Sequence, residues 1–211
     1  MKKKARASAA PVARSPAERD AKAEAERDAK AEIRRLKMQL TKANARIEAL
    51  QAAAETDFLL GIPNRRGFER ELGRAISYIQ RYQASGALIV LDVDRLKPIN
   101  DNFGHAAGDE VLKAIVSMLS RQIRTSDMIG RLGGDEFALL LWNLSETDAH
   151  AKPAAFEEDI DGLSFSFEGH TVVTGVSAGV AILGPHSDGA RALADADRAM
   201  YLRKAQRRHE A

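Results

Sequence analysis

Arg131-Leu132-Gly133-Gly134-Asp135-Glu136-Phe137 is the stretch on which the reading of this chain turns. Two adjacent glycines lack Cβ atoms, so the backbone can turn tightly and come close to a ligand. Two acids follow at once, and the group is bracketed by apolar Met128-Ile129 and the run Phe137-Ala-Leu-Leu-Leu-Trp142. The pattern predicts strand, tight turn and strand, with carboxylates at the tip of a hairpin. Taken alone, a Gly-Gly-Asp segment is more often an ordinary solvated turn.

A second acidic strand end upstream changes that balance. Leu88-Ile89-Val90-Leu91-Asp92-Val93-Asp94 is a short apolar run rich in branched residues, which reads as a buried strand. Side chains repeat every two residues, so Asp92 and Asp94 share a face. Asp92 stands where the apolar run ends, so its carboxylate can lie at a sheet edge near Asp135 and Glu136. Clustered carboxylates raise one another's pKa unless a cation joins them. A hard divalent ion with oxygen ligands resolves the conflict, and magnesium keeps positions open for water and phosphate. The two acidic ends together point to a site for metal-bound phosphate.

Working outward, the spacing predicts a helix over Gly67–Tyr82 with Phe68, Leu72, Ile76 and Ile79 on one stripe, and a strand over Ala87–Asp94. A second helix is expected over His105–Arg124, with Val111, Ile115 and Leu119 on one stripe and Leu112 and Val116 beside it. Strands are expected at Leu163–Phe167 and Thr171–Leu183, and a closing helix at Gly189–Arg208. Helices crossing to strands, with antiparallel hairpins between them, make an α+β sandwich.

The amino-terminal arm differs from the rest. Residues 1–16 hold Ala, Ser, Pro and basic residues without periodicity, which predicts disorder. The repeat Ala-Glu-Arg-Asp-Ala-Lys-Ala-Glu then occurs at 17–24 and again at 25–32, in residues that favour helix. Heptads follow, with Ile33, Leu40, Ile47 and Ala54 at one core position and Leu36, Ala43 and Leu50 at the other. They fit a short two-stranded coiled coil over 17–56, the alternative being a single amphipathic helix folded back on its own domain. Residues 57–211 form the remaining domain.

Residues 1–56 carry 14 Lys and Arg against 8 Asp and Glu, a balance of +6 in a chain whose net charge is +2. A basic arm can touch nucleic acid or anionic lipid, but closely alternating signs after Pro16 favour a solubilising role, and nucleic acid is not the expected partner. The absence of cysteine excludes disulfides, thiolate metal sites and thiol nucleophiles. No apolar run approaches a membrane span, and no apolar stretch follows the basic start. The expected location is the cytoplasm.

Five motifs in order carry a family resemblance. Arg131 to Phe137 is a complete GGDEF signature. Asp57-Phe-Leu-Leu-Gly61-Ile-Pro63-Asn64-Arg65-Arg66 is similar to the D-x-L-T-G-L-P-N-R opening of bacterial diguanylate cyclases. Asp92-Val-Asp94-Arg-Leu-Lys97-Pro-Ile-Asn100-Asp101-Asn-Phe-Gly104-His105-Ala-Ala-Gly108-Asp109 follows it. Ser177-Ala-Gly179-Val-Ala and Ala194-Asp195-Ala-Asp197-Arg-Ala-Met-Tyr201-Leu-Arg-Lys204 close the set. Over roughly 57–208 the chain resembles that family, whose members join two GTP molecules into cyclic di-GMP and release two pyrophosphates.

The resemblance implies a palm-like GGDEF fold, a central and mainly antiparallel sheet flanked by helices, preceded by the coiled-coil helix. It implies two magnesium ions per active site, with manganese as a substitute, held by Asp92, Asp135, Glu136 and the Val93 carbonyl. Asp135 is the acid suspected of accepting the 3′-hydroxyl proton, Glu136 is counted with it as catalytic, and Lys97 either assists at the triphosphate or is a solvated lysine. Asn100 and Asp109 match the residues that read guanine, and His105 between them either borders the nucleotide or is a structural helix start. Lys204 and Arg208 match the triphosphate contacts, and backbone amides near Arg95 and Leu96 would complete the phosphate site. Each active site holds one GTP, so the resemblance implies a homodimer.

Arg124-Thr-Ser-Asp127 matches the family's R-x-x-D inhibitory site for the product, with Arg124 and Asp127 as its contacts. The family often adds an arginine from the helix after the hairpin, but 147–160 contains none, and Pro153 is expected to break or kink a helix there. Leu60, Leu96 and Pro98 also depart from the pattern, and the family's closing Gly-Arg-Asn reads Arg207-Arg208-His209. The alternative function is a non-catalytic GGDEF receptor that binds GTP or cyclic di-GMP and signals through its coiled coil.

Overall fold

The computed structural model describes residues 16–210, so the tail expected at 1–16 lies, save for Pro16, outside them. The chain divides into two compact units, residues 1–51 and 52–211. Helix α1 (Pro16–Glu55) accounts for every described residue of the first. Its Ala, Glu, Lys and Arg content favours helix, and Arg35 pairs with Glu32 at 2.8 Å, one turn away. The heptad residues Ile33, Leu36, Leu40, Ile47 and Leu50 are all exposed.

In the second unit, α2 (Arg65–Tyr82) begins where the Asn64 side chain accepts a hydrogen bond from Gly67 N at 3.1 Å. It ends at Gln83, whose left-handed backbone (φ 54°) donates its N–H to the Ile79 carbonyl. The expected stripe Phe68, Leu72, Ile76 and Ile79 is buried. Strand β1 (Gly86–Asp94) follows, then α3 (Leu96–Phe103), which sequence periodicity does not announce. Arg95 turns the chain sharply from strand to helix with φ 62°. Pro98 falls in the first turn of α3, where the backbone N–H has no helical partner to lose, so proline costs little.

Helix α4 (His105–Gln122) leads to β2 (Met128–Arg131) and β3 (Glu136–Trp142), the hairpin of the signature. Helix α5 (Glu146–Asp161) then continues through Pro153 without the expected break. Ser145 caps it by accepting from Asp148 N, and Ala149, Pro153, Phe156 and Ile160 are all buried. Packing of that face outweighs the lost backbone hydrogen bond, a local cost of ~3 kcal/mol.

The strand expected over Thr171–Leu183 is two strands. β4 (Ser164–Phe167) and β5 (His170–Val173) form a separate hairpin, and β6 (Gly175–Leu183) joins the main sheet. Between them Thr174 donates its hydroxyl to the Asp94 carbonyl at 2.8 Å, fixing the crossover point. Helix α6 (Gly189–Glu210) closes the unit.

The main sheet has the order β2-β3-β1-β6 and every pairing is antiparallel. Alternation along the strands divides the core in two. Ile89, Leu91, Phe137, Leu139, Val176 and Ala178 face α3, α4 and α5. Leu88, Val90, Ala138, Leu140 and Leu183 face α2 and α6. Asp92 and Asp94 continue the second set, so β1 carries its carboxylates onto the face that α6 crosses.

Candidate active site

Helix α6 brings Ala192, Ala196 and Met200 onto the sheet at four-residue intervals, and the next step is Lys204. It can pack this closely because β6 has Gly179 at the crossing, where a Cβ would collide with Met200 N and the Ala196 carbonyl. Lys204 thereby meets the buried Asp92, donating from Nζ to Oδ1. Burial pushes the Asp92 carboxyl above its ordinary value; the Lys204 hydrogen bond and charge oppose this, while Asp135 and Asp94 add to it.

Asp94 accepts at 3.2 Å from the hydroxyl of fully buried Ser177. Arg207, one turn beyond Lys204, lies 3.4 Å from Asp94, 3.5 Å from Glu157 and 2.7 Å from Asp161. Glu157 is itself buried and accepts from Ala178 N and from Arg203. It thus occupies an amide on the outer side of β6, an edge strand.

The hairpin is held to β1 by the hydrogen bond from Val93 N to the Asp135 carbonyl, 2.9 Å. Arg131 lies across the turn, donating to the carbonyls of Gly133 (2.9 Å) and Gly134 (2.7 Å) and pairing with Asp57 at 3.1 Å. Neither glycine adopts a left-handed backbone. A Cβ on Gly133 would press on the Glu136 carboxylate at 2.9 Å, whereas Gly134 has open space around it. One glycine leaves room for Glu136; the other leaves the tip uncovered.

A cavity of about 870 Å³ opens between the ends of β1, α3 and α6. Asp135, Lys97, Lys204 and Arg208 all line it, as does Val93, and so do Arg95 and Leu96 at the start of α3. Other expected site residues lie apart. Glu136 is opposite Asp92 in register, but its carboxylate faces Arg65 at 3.5 Å. Asn100 and Asp109 sit on the paired helices α3 and α4, outside the cavity lining, with exposed His105 at the start of α4. Asn100 packs against Gly108, where any Cβ would collide with its side chain, and its Oδ1 is buried without a hydrogen-bond partner. That orphaned acceptor, against Gly108 and so one residue along the chain from Asp109, is polar capacity the fold leaves unused.

Asp127 has both carboxylate oxygens occupied, one by Arg124 N at 2.9 Å and one by Trp142 N at 3.0 Å. Among the described residues the Arg124 guanidinium makes no hydrogen bond or ion pair. Asp127 shapes the turn, and Arg124 projects from it.

Among the described residues, no three His, Asp or Glu side chains converge as a metal-binding group. Asp92 and Asp135 interact electrostatically and offer only hard oxygen donors. That pair fits one magnesium ion, which commonly takes one or two carboxylates and leaves its other positions to water and phosphate. Sequence reasoning missed Arg207, Asp161 and Glu157, because nothing in the spacing announces contact between α5 and α6.

The family model "Diguanylate cyclase, GGDEF domain" matches residues 54–210. The chain belongs to the GGDEF diguanylate cyclase family. It is 41% identical over 162 residues to the diguanylate cyclase TpbB of Pseudomonas aeruginosa, covering 76% of this chain and 37% of that relative. The chain therefore spans little more than a third of that relative's length. The solved GGDEF domain of TpbB superposes with a TM-score of 0.66 at 40% identity, covering 72% of this chain and 89% of that one. The GGDEF domain of DgcB from Caulobacter crescentus, solved in complex with c-di-GMP, gives a TM-score of 0.69 at 28% identity, covering 72% and 89%.

Proposed function

We propose that this chain is a diguanylate cyclase, condensing two GTP into cyclic di-GMP and two pyrophosphates. The observation that carries the reading is the convergence of Asp135 with Lys97, Lys204 and Arg208 around one cavity, with Lys204 also bonded to Asp92 just outside its lining. Each GTP would lay its polyphosphate against Lys204, Arg208 and the first amides of α3, where backbone N–H groups and helix dipole favour anions. Asn100 and Asp109 would meet the guanine, the carboxylate accepting from N1–H and N2–H, a pairing adenine cannot offer.

In each half-reaction the 3′-hydroxyl of one GTP attacks the α-phosphorus of the other. A bond from O3′ to phosphorus forms, the bond from α-phosphorus to the bridging oxygen breaks, and pyrophosphate leaves with that electron pair. Asp135 would accept the hydroxyl proton. Magnesium held by Asp92 and Asp135 would supply charge neutralisation and a lowered hydroxyl pKa. A second ion would need Glu136, whose contact with exposed Arg65 is weak enough to exchange.

Each cavity would hold one GTP, so the reaction would need two chains facing each other. The exposed stripe Ile33, Leu36, Leu40, Ile47 and Leu50 suits a two-stranded coiled coil that would supply the second half-site. Arg124 would bind the guanine or phosphate of the product, with Asp127 holding the turn that presents it.

The test is purified protein with GTP and magnesium, the products resolved by chromatography beside Asp135→Asn. Cyclic di-GMP should form with the wild type and fall by about 10²–10⁴-fold in the variant. A folded dimer that leaves GTP intact would transfer the argument to the receptor reading, with nucleotide affinity then measured directly.

A further inference from the structure

We propose that Arg207 is a further polyphosphate-binding cation of the cavity, partly withheld from the ligand by carboxylates of α5; the inference rests on the nucleotide reading above. Helix α6 presents Lys204, Arg207 and Arg208 to the same space. Position 207 stands where the family's closing motif has glycine, so the family pattern assigns this side chain no role.

The surroundings of Arg207 are built for it. Its Nη2 donates to both oxygens of Asp161, at 2.7 and 2.8 Å, and its other nitrogens approach Asp94 and Glu157. Asp161 ends α5, where negative charge opposes the helix dipole, and the last turn of α5 has no basic residue to offset it. The offset comes from Arg207 across the interface. Gly175 makes the room: a Cβ there would collide with Asp161 Oδ1 and lie 2.8 Å from Arg207 Nη2.

Charge and geometry assign the ligand class. Arg95, Lys97, Lys204, Arg207 and Arg208 face the cavity with Asp94, Asp135 and Asp161, so cations are in excess. Two of the cations are already engaged, Lys204 by Asp92 and Arg207 by Asp161 and Asp94. A phosphate offers a guanidinium the same forked geometry as a carboxylate. Asp161 is half-exposed, so its hold on Arg207 is weak in water and open to exchange. Glu157, nearly fully buried, keeps the guanidinium beside the cavity when Asp161 lets go. Asp161 therefore acts as an internal competitor of the polyphosphate.

This arrangement makes opposite predictions for the two partners. The full chain is titrated calorimetrically with inorganic tripolyphosphate, and with 3′-deoxy-GTP plus magnesium, which cannot cyclise. Arg207→Ala should weaken both ligands about tenfold or more, the loss of one charge-assisted contact, and Arg207→Lys should restore part of it. Asp161→Asn should tighten both about three- to tenfold by releasing the guanidinium. Circular dichroism checks that each variant is folded; if Arg207→Ala is not, Asp161→Asn decides alone. Unchanged affinity in Arg207→Ala, or an Asp161→Asn that binds no tighter than wild type, would reduce the pair to a scaffold and overturn the proposal. A wild type that binds neither probe would instead remove the nucleotide reading on which it rests.

Discussion

Asp92 is the residue on which the opposing influences meet. Burial and two neighbouring carboxylates raise its pKa, while Lys204 pulls it down. Lys204→Met removes the lowering influences, so the Asp92 carboxyl should titrate at higher pH than in wild type, as read by carboxyl NMR. The sign for stability follows. A folded pKa above the ordinary 3.8 means the fold prefers the protonated acid. That contribution is fully present below the unfolded pKa and is lost as pH rises through the folded one. On going from pH 3 to neutrality the variant should therefore lose more stability than wild type, measured by urea titration across that range. In sequence, Asp92 stands out by its place at the end of an apolar run. Its partner 112 residues later does not, because a strand end and a helix end meet only after the sheet has formed.

Element packing sets that meeting through one hydrogen atom. Gly179 lets α6 lie against β6 nearly backbone to backbone, and a methyl there has nowhere to go. Gly179→Ala should destabilise the second unit by about 1–3 kcal/mol through overpacking. It should also move Lys204 away from Asp92, so that activity falls further than the loss of folded protein accounts for; denaturation curves and specific activity read the two effects. Other elements show where pattern reading works. The α2 stripe follows from period 3.6, and the strands of the hairpin from short apolar runs on either side of a Gly-Gly turn. The α3 helix and the break at Thr174 do not, since eight residues hold too few turns for a period and a crossover is a tertiary event. Pro153 misleads for a related reason: the local cost of proline is legible, and the burial of Phe156 and Ile160 that outweighs it is not.

At the scale of the whole molecule, the dimer proposed through the exposed heptad stripe of α1 would link association to activity. Leu40→Lys puts a charge on that stripe and should convert the proposed dimer to monomer in sedimentation velocity. Cyclisation should fall with the dimer fraction, while the unfolding midpoint of residues 52–211 stays put. By itself the sequence determined the family, the signature hairpin, the heptad stripe and the candidate ligands, because motif spacing and hydrophobic period are properties of neighbours along the chain. Tertiary structure decided which of those side chains are engaged. It set Lys204 on Asp92, turned Glu136 to Arg65, occupied Asp127 with backbone amides and placed Arg207 among three acids. Hydrogen bonds and ion pairs form between groups brought within about 3 Å, and only the packed sheet and helices fix those distances.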